Sequence, residues 1–432
     1  MRDRLYRIGT GAGFSADRLD PAADLVERGR LDAIVFECVG ERTLAFAHRD
    51  RRRDPALGFN PWLERRMKVM LPLCARHGTK LITNMGAANP RAAAAKTRAV
   101  ADALGLSKLR VAWIEGDDVT DRIEMSGGMV GANAYIGADA LMPALAEGAD
   151  VIVAGRVADP SLFLAPLMMH FGWRADDWPL LGRGTLVGHL MECAAQITGG
   201  YFADPGRKDV PDLAHVGFPI AEVSADGDAT ITKLDRTGGE VSVRTVKEQL
   251  LYEVHDPTAY LTPDVTADFS KVSIAATGAD RVRLAGAGGR KRPDNLKVTV
   301  AMDGGYLAEA EVSYAGPGAG RRAELAGAVV KQRMAGVQGF NDAVRIDLIG
   351  VASLLATADR RGDVDLATDA RLRCALRTGD RAMAEALLWE VESLLTCGPA
   401  GGGGYRGRID PSVTTETRFL DRGLVPTRVH WL

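Results

Sequence analysis

Lys80-Leu81-Ile82-Thr83-Asn84, followed after three intervening residues by Ala88-Asn89-Pro90, is the stretch on which the reading of this chain turns. Lys80–Thr83 is a short apolar run and reads as a strand. Asn89-Pro90 reads as a helix start. The Asn side chain accepts free N–H groups of a first turn, and proline lacks an N–H that this turn leaves unused. Between them stands Asn84, a polar residue at a strand end. The same device recurs outward at Asp20-Pro21, Asn60-Pro61 and Asp159-Pro160. Short apolar runs precede them at Leu5–Gly9, Ala33–Phe36 and Val151–Ala154, and Leu109–Ile114 makes a fifth strand with a less clear cap. Strands alternating with helices form a parallel sheet. The expected fold is therefore α/β: a parallel sheet with helices, doubly wound or closed like a barrel, followed by a smaller α+β domain.

Ligands of open parallel sheets bind outside the carboxyl ends of the strands. Those ends carry Glu37 and Cys38, Asn84, then Glu115, Asp117 and Asp118, and Arg156. Glu37 closes the apolar run Ile34-Val35-Phe36, where burial raises a carboxyl pKa and suits it to general acid–base work. A structural ion pair with a base such as Arg156 is the competing reading. Cys38 offers a thiol nucleophile, or a small packing side chain. Glu115 is a second general base, and Glu115, Asp117 and Asp118 together form a carboxylate cluster that Mg²⁺ would neutralise. Asp117 or Asp118 could instead cap the next turn. Arg156 supplies a guanidinium fork that grips a carboxylate or phosphate. Asn84, Asn89 and Asn133 are further substrate-binding candidates.

Gly11 and Gly13, in Gly9-Thr10-Gly11-Ala12-Gly13-Phe14-Ser15-Ala16, satisfy a GxGxxA pattern. A dinucleotide site would require the helix to open within those glycines, whereas Asp20-Pro21 places it later; a substrate-binding turn fits better. His189 and Glu192 lie three apart on an expected helix over Thr185–Thr198 and so share a face.

The first domain is expected over residues 1–212, a turn-rich connection over 213–280, and the α+β domain over 281–432. In the last, Leu296–Met302 and Tyr306–Tyr314 read as strands joined by a hairpin turn at Asp303-Gly304-Gly305. Arg321–Met334 and Arg381–Leu395 read as helices. Gly398–Gly404 reads as a flexible connection or a loop that closes over a ligand.

The 432 residues are 46% hydrophobic and carry a net charge of -2, so no basic surplus speaks for nucleic acid or an anionic membrane. Arg49-Asp50-Arg51-Arg52-Arg53 is the densest basic cluster and reads as a loop. No apolar run approaches a membrane span, and the start of the chain shows no signal-peptide pattern. Five scattered cysteines without a CxxC pair fit a reduced, cytoplasmic protein.

Taken together, several stretches resemble the acyclic terpene utilisation (AtuA-like) family. They include Ile8–Phe14, Phe36-Glu37-Cys38, Ile82-Thr83-Asn84, Glu115–Val119, Ala132-Asn133-Ala134-Tyr135, Gly155-Arg156-Val157, Gln196–Gly200, Thr245–Glu253 and Gly398–Gly402. The resemblance covers nearly the whole chain. It implies a part in the breakdown of branched terpenoid acids carried as CoA thioesters, and it assigns no catalytic roles. The expected function is hydratase- or lyase-type acid–base catalysis on a small anionic substrate, free acid or CoA thioester, as a homo-oligomer or with a small separate subunit. A non-catalytic acyl-CoA-binding or scaffolding subunit is the alternative, and a dinucleotide oxidoreductase a third.

Overall fold

A computed structural model describes residues 4–124, 127–354 and 363–432; the first three residues, on which the signal-peptide expectation partly rests, lie outside them. The chain divides into two compact units, residues 1–301 with 415–432, and residues 302–414.

The first unit is built on a ten-stranded mixed sheet. Its centre is five parallel strands in the order β1 (Tyr6–Ala12), β2 (Ala33–Phe36), β3 (Lys80–Thr83), β6 (Val151–Val153) and β4 (Val111–Glu115). Helices α1 (Asp20–Arg28), α2 (Glu41–Arg53), α3 (Leu63–His77), α4 (Pro90–Ala103) and α6 (Asp159–Phe171) connect or flank them. All four β2 residues are buried, as expected of a parallel strand covered on both faces. The Asx-Pro starts differ in detail. Asn89 is a true cap, accepting from the Ala92 N–H at 3.3 Å, whereas Asp20 and Asp159 are already the first helical residues.

Antiparallel strands extend this centre. β7 (Pro219–Val223) pairs with β1, β8 (Ala229–Lys233) with β7, then come Arg281–Ala285 and Ser273–Gly278. On the other side Arg428–Trp431 pairs antiparallel with β4. Residues 213–280 thus contribute three strands to the main sheet instead of forming a separate connection. They also supply α8 (Val243–Leu251), whose Ser242 and Thr245 form a reciprocal cap. Among the described residues no sheet closes into a barrel.

Other expectations are corrected. The basic cluster Arg49–Arg53 ends helix α2; Arg51 donates to the Ala88 carbonyl and Arg52 to that of Met129, so these side chains are tied down. Helix α7 (Trp178–Met191) starts before and stops short of the expected 185–198. β5 (Met129–Ala134) was not anticipated. Asp303-Gly304-Gly305 makes no hairpin: Asn295–Ala315 is one continuous strand. Gly305 takes φ +71° and its N–H donates to the Asp303 side chain, so the local turn chemistry is present without a reversal of the chain.

The second unit packs Tyr306–Ala315 against Asp369–Thr378, which pairs in turn with Arg345–Ile349, all antiparallel. Helices Ala319–Gly336 and Arg381–Glu392 cover one apolar core with Tyr314, Leu372 and Leu387. The glycine stretch runs into a long strand, Gly403–Asp421.

Candidate active site

The carboxyl ends of β1, β2, β3 and β6 converge on a group of buried charges within the first unit. Glu37 follows β2 directly and is only 9% exposed. Its Oε1 accepts from the Val39 N–H at 2.8 Å and from Asn84 Nδ2 at 3.0 Å. Asn84 Oδ1 in turn accepts from the Cys38 N–H at 2.7 Å. Asn84 is thereby spent on orienting Glu37. Oε2 accepts no hydrogen bond among the described residues. Burial first, and then the negative charge of Asp159, push the Glu37 carboxyl up to about 8, against the pull of Arg156.

Arg156 follows β6 and is buried. Its N–H donates to Asp117 at 2.6 Å, its Nη1 to Asp159 at 3.0 Å and to the Val39 carbonyl. The guanidinium lies over the Tyr135 ring at 4.0 Å from its centre, a cation–π contact. Burial works against its charge, but Asp159 and further acidic neighbours hold it firmly protonated. Its Nε–H is buried without a hydrogen-bond partner. Asp159 is crowded by protein, which raises its carboxyl pKa, yet 30% of its side chain reaches solvent. The cluster is thus buried and reaches solvent through Asp159.

Residues outside the strand-end candidates complete it. Tyr135 donates to Glu41, which also accepts from Lys297 Nζ at 3.0 Å; these donors and Arg156 hold Glu41 at about 2 although burial opposes them. Glu192, at the end of α7, and Glu253, just after α8, add two more carboxylates that bear on Asp159. The face expected to be shared by His189 and Glu192 is present, with Nδ1 and Oε1 3.3 Å apart, whereas Glu253 joins the cluster through the fold alone.

The other sequence candidates have different surroundings. Cys38 is buried, its thiol pushed up by burial, and Sγ accepts from Arg66 at 3.1 Å. Gly11 and Gly13 are packing glycines. A Cβ on Gly11 would meet the Phe36 ring at 2.4 Å, and one on Gly13 the Glu192 carbonyl at 2.4 Å. Gly11 lies inside β1 and α1 opens only at Asp20, so no helix N-terminus meets the glycines as a dinucleotide would need. Asn89 donates to the Pro55 and Leu57 carbonyls besides capping α4. Asn133 bridges His48 and Asp117, accepting from or facing His48 Nε2 at 2.5 Å and donating to Asp117 at 2.7 Å.

The carboxylate trio does not act as one group. Glu115 is half-exposed and faces His430 at 2.7 Å, Asp118 pairs with Arg51 at 2.9 Å, and Asp117 takes Arg156 and Asn133. Among the described residues no group of three or more His, Cys, Asp or Glu is placed to hold a metal ion. Asp117 is buried, and that burial raises it to about 6.

Two hollows lie away from the cluster or at its flank. One of about 650 Å³ beside α1 is lined by Asp20, His215 and Phe218 among others; another of about 530 Å³ holds Asn89, Trp113, Glu115 and Asp118. The first gathers no buried titratable side chain, and size alone is weaker evidence of chemistry than perturbed carboxyls beside a guanidinium. The second touches the cluster's flank through Asp117.

Fold and site together define an α/β protein with a buried acid–base cluster at its strand ends. The chain belongs to the acyclic terpene utilisation family, AtuA, whose family model matches residues 6–431. That membership is compatible with a catabolic role. No curated protein and no solved structure matches the chain. No helix among the described residues is long and apolar enough to cross a membrane.

Proposed function

We propose that this protein is a catabolic enzyme for methyl-branched acids, acting on a free carboxylate or its CoA thioester by hydration or dehydration. The observation that carries this reading is Glu37. It is a buried carboxyl with one oxygen fixed by Val39 and Asn84 and the other open. A carboxyl titrating at about 8 is poised for proton transfer near neutral pH. Its ionised form takes a proton from water at Oε2, and the water oxygen bonds to an electron-poor carbon of the substrate. The spare Nε–H of Arg156 is suited to a carboxylate or thioester oxygen, where charge develops. The family's tie to acyclic terpenes, built from methyl-branched units, favours branched acids.

The internal pairing of Arg156 with Asp159 at 3.0 Å favours a second reading, a non-catalytic subunit that binds acyl-CoA. Thermal midpoints against branched acyl-CoAs and the corresponding free acids, with Mg²⁺ and with EDTA, test both. Saturation at 100 times Kd adds about 2.7 kcal/mol to the folded state. Stabilisation with turnover supports the enzyme, stabilisation without turnover the binding subunit, and no shift with any ligand contradicts both.

A further inference from the structure

Glu192 plays no part in the mechanism above, yet its setting is unusual. It lies at the end of α7 and is 7% exposed. Its Oε1 faces His189 Nδ1 at 3.3 Å, and His189 Nε2 faces the Leu250 carbonyl at 3.2 Å. A carbonyl can only accept, so Nε2 carries a hydrogen. Burial keeps the His189 ring from taking a second proton, lowering it to about 4. Nδ1 is therefore a lone pair, and a carboxylate oxygen opposite it would set two acceptors face to face. The contact makes sense when Glu192 brings the proton.

A second observation points the same way. Glu192 Oε2 is buried and has no hydrogen-bond partner. An ionised carboxyl would place half its charge on that oxygen, with no protein donor to meet it. The groups bearing on Glu192 offer no remedy. Asp159 and Glu253 are acidic, and the cation Arg156 is already paired with Asp159 at 3.0 Å. Tyr260 and Cys193 also feel the charge of this carboxyl, and both are held protonated, chiefly by burial.

We propose that Glu192 is the neutral acid of this site, a protonated carboxyl held by His189, which donates its proton to the substrate while Glu37 takes one from water. The proposal rests on the acid–base reading of Glu37. In hydration of an α,β-unsaturated acid or thioester, water loses a proton to Glu37 and its oxygen bonds to the β-carbon. The π electrons move to the carbonyl oxygen, giving an enolate. As that enolate collapses, its α-carbon takes the Oε1 proton, and Glu192 is left as a carboxylate. Solvent exchange then returns a proton to Glu192 and removes one from Glu37. Both glutamates meet the end of β1: the Glu37 N–H donates to the Ala12 carbonyl at 2.9 Å, and the Glu192 carbonyl lies against Gly13.

The first test needs no substrate. In the infrared spectrum of the intact protein at pH 7, Glu192→Gln should remove one carboxylic-acid carbonyl band. In ¹⁵N-histidine spectra of the unaltered protein, His189 should be the neutral Nε2–H tautomer. Retention of every acid band in the variant, or a protonated His189 at pH 7, overturns the proposal. The probe for turnover is 3-methylbut-2-enoyl-CoA, the thioester of a one-isoprene-unit acid. Glu192→Gln should lower kcat roughly 10²–10⁴-fold, the range for a lost acid or base, and abolish the fall of rate at alkaline pH. An unchanged rate overturns the donor role. If the wild-type protein ignores the probe while the band is lost in the variant, the hydration reading fails and the neutral acid stands.

Discussion

Glu37→Gln removes one proton-binding group while keeping the shape that Val39 and Asn84 hold. Folding lifts the Glu37 carboxyl from its ordinary 4.5 to about 8. Between those values the folded chain holds a proton that the unfolded chain has released. The resulting stability is fully present below the unfolded value and is lost as pH rises through about 8. At pH 6, roughly two units below the folded value, it amounts to about 3 kcal/mol at about 1.4 kcal/mol per unit, and by about pH 9 it has nearly vanished. Gln has no such dependence. Urea-unfolding free energies of both proteins from pH 6 to 9 isolate the effect, because the other titrating groups are common to the two. The wild-type protein should lose about 3 kcal/mol relative to the variant across that window. Parallel curves would refute the claim that burial holds Glu37 protonated.

Arg156→Met should destabilise the first unit by about 3 kcal/mol, the low end for breaking a buried ion pair, since solvent still reaches part of Asp159; equal urea midpoints contradict this. Gly13→Ala should cost about 1–3 kcal/mol, because the new methyl meets the Glu192 carbonyl, backbone that cannot swing aside. A thermal midpoint unchanged from wild type removes that packing argument. Cys38 should resist iodoacetamide at pH 8 in the folded protein while the exposed Cys397 is modified. Mass spectrometry that finds Cys38 alkylated as fast as Cys397 restores it as a nucleophile.

Much of the site's frame was legible in sequence because parallel strands buried on both faces write themselves as short apolar runs. Ala33–Phe36 and Lys80–Thr83 have the expected bounds, and the residue after each carries the chemistry. Glu37 and Asn84 come together because β2 and β3 are neighbours in parallel register. What the sequence left hidden depends on long-range placement. Glu253, Tyr135 and Lys297 reach the cluster from segments whose local patterns say only helix end or strand, and the spacing of His189 and Glu192 shows a shared face but not what that face meets. Nor does anything local separate Asp117, which is buried, from Glu115, whose strand end is covered by the antiparallel Arg428–Trp431. Gly403–Asp421 escaped because its side chains are mostly half-buried or exposed on both faces, so no alternation marks it. Helix α2 escaped for a related reason: only Leu44, Ala45, Ala47 and His48 are buried along it. Asp303-Gly304-Gly305 has the composition of a hairpin turn, but these residues lie within one strand, Asn295–Ala315, whose Tyr306–Ala315 part pairs with Asp369–Thr378.

The pH dependence of kcat/KM for hydration of 3-methylbut-2-enoyl-CoA, wild type against Glu37→Gln, tests the central claim most directly. With Glu37 as the base, the wild-type rate should climb as the pH approaches about 8, and the variant should be slower by roughly 10²–10⁴-fold without that climb. A variant as fast as wild type, or the same climb in both proteins, would contradict the assignment of Glu37 as the base.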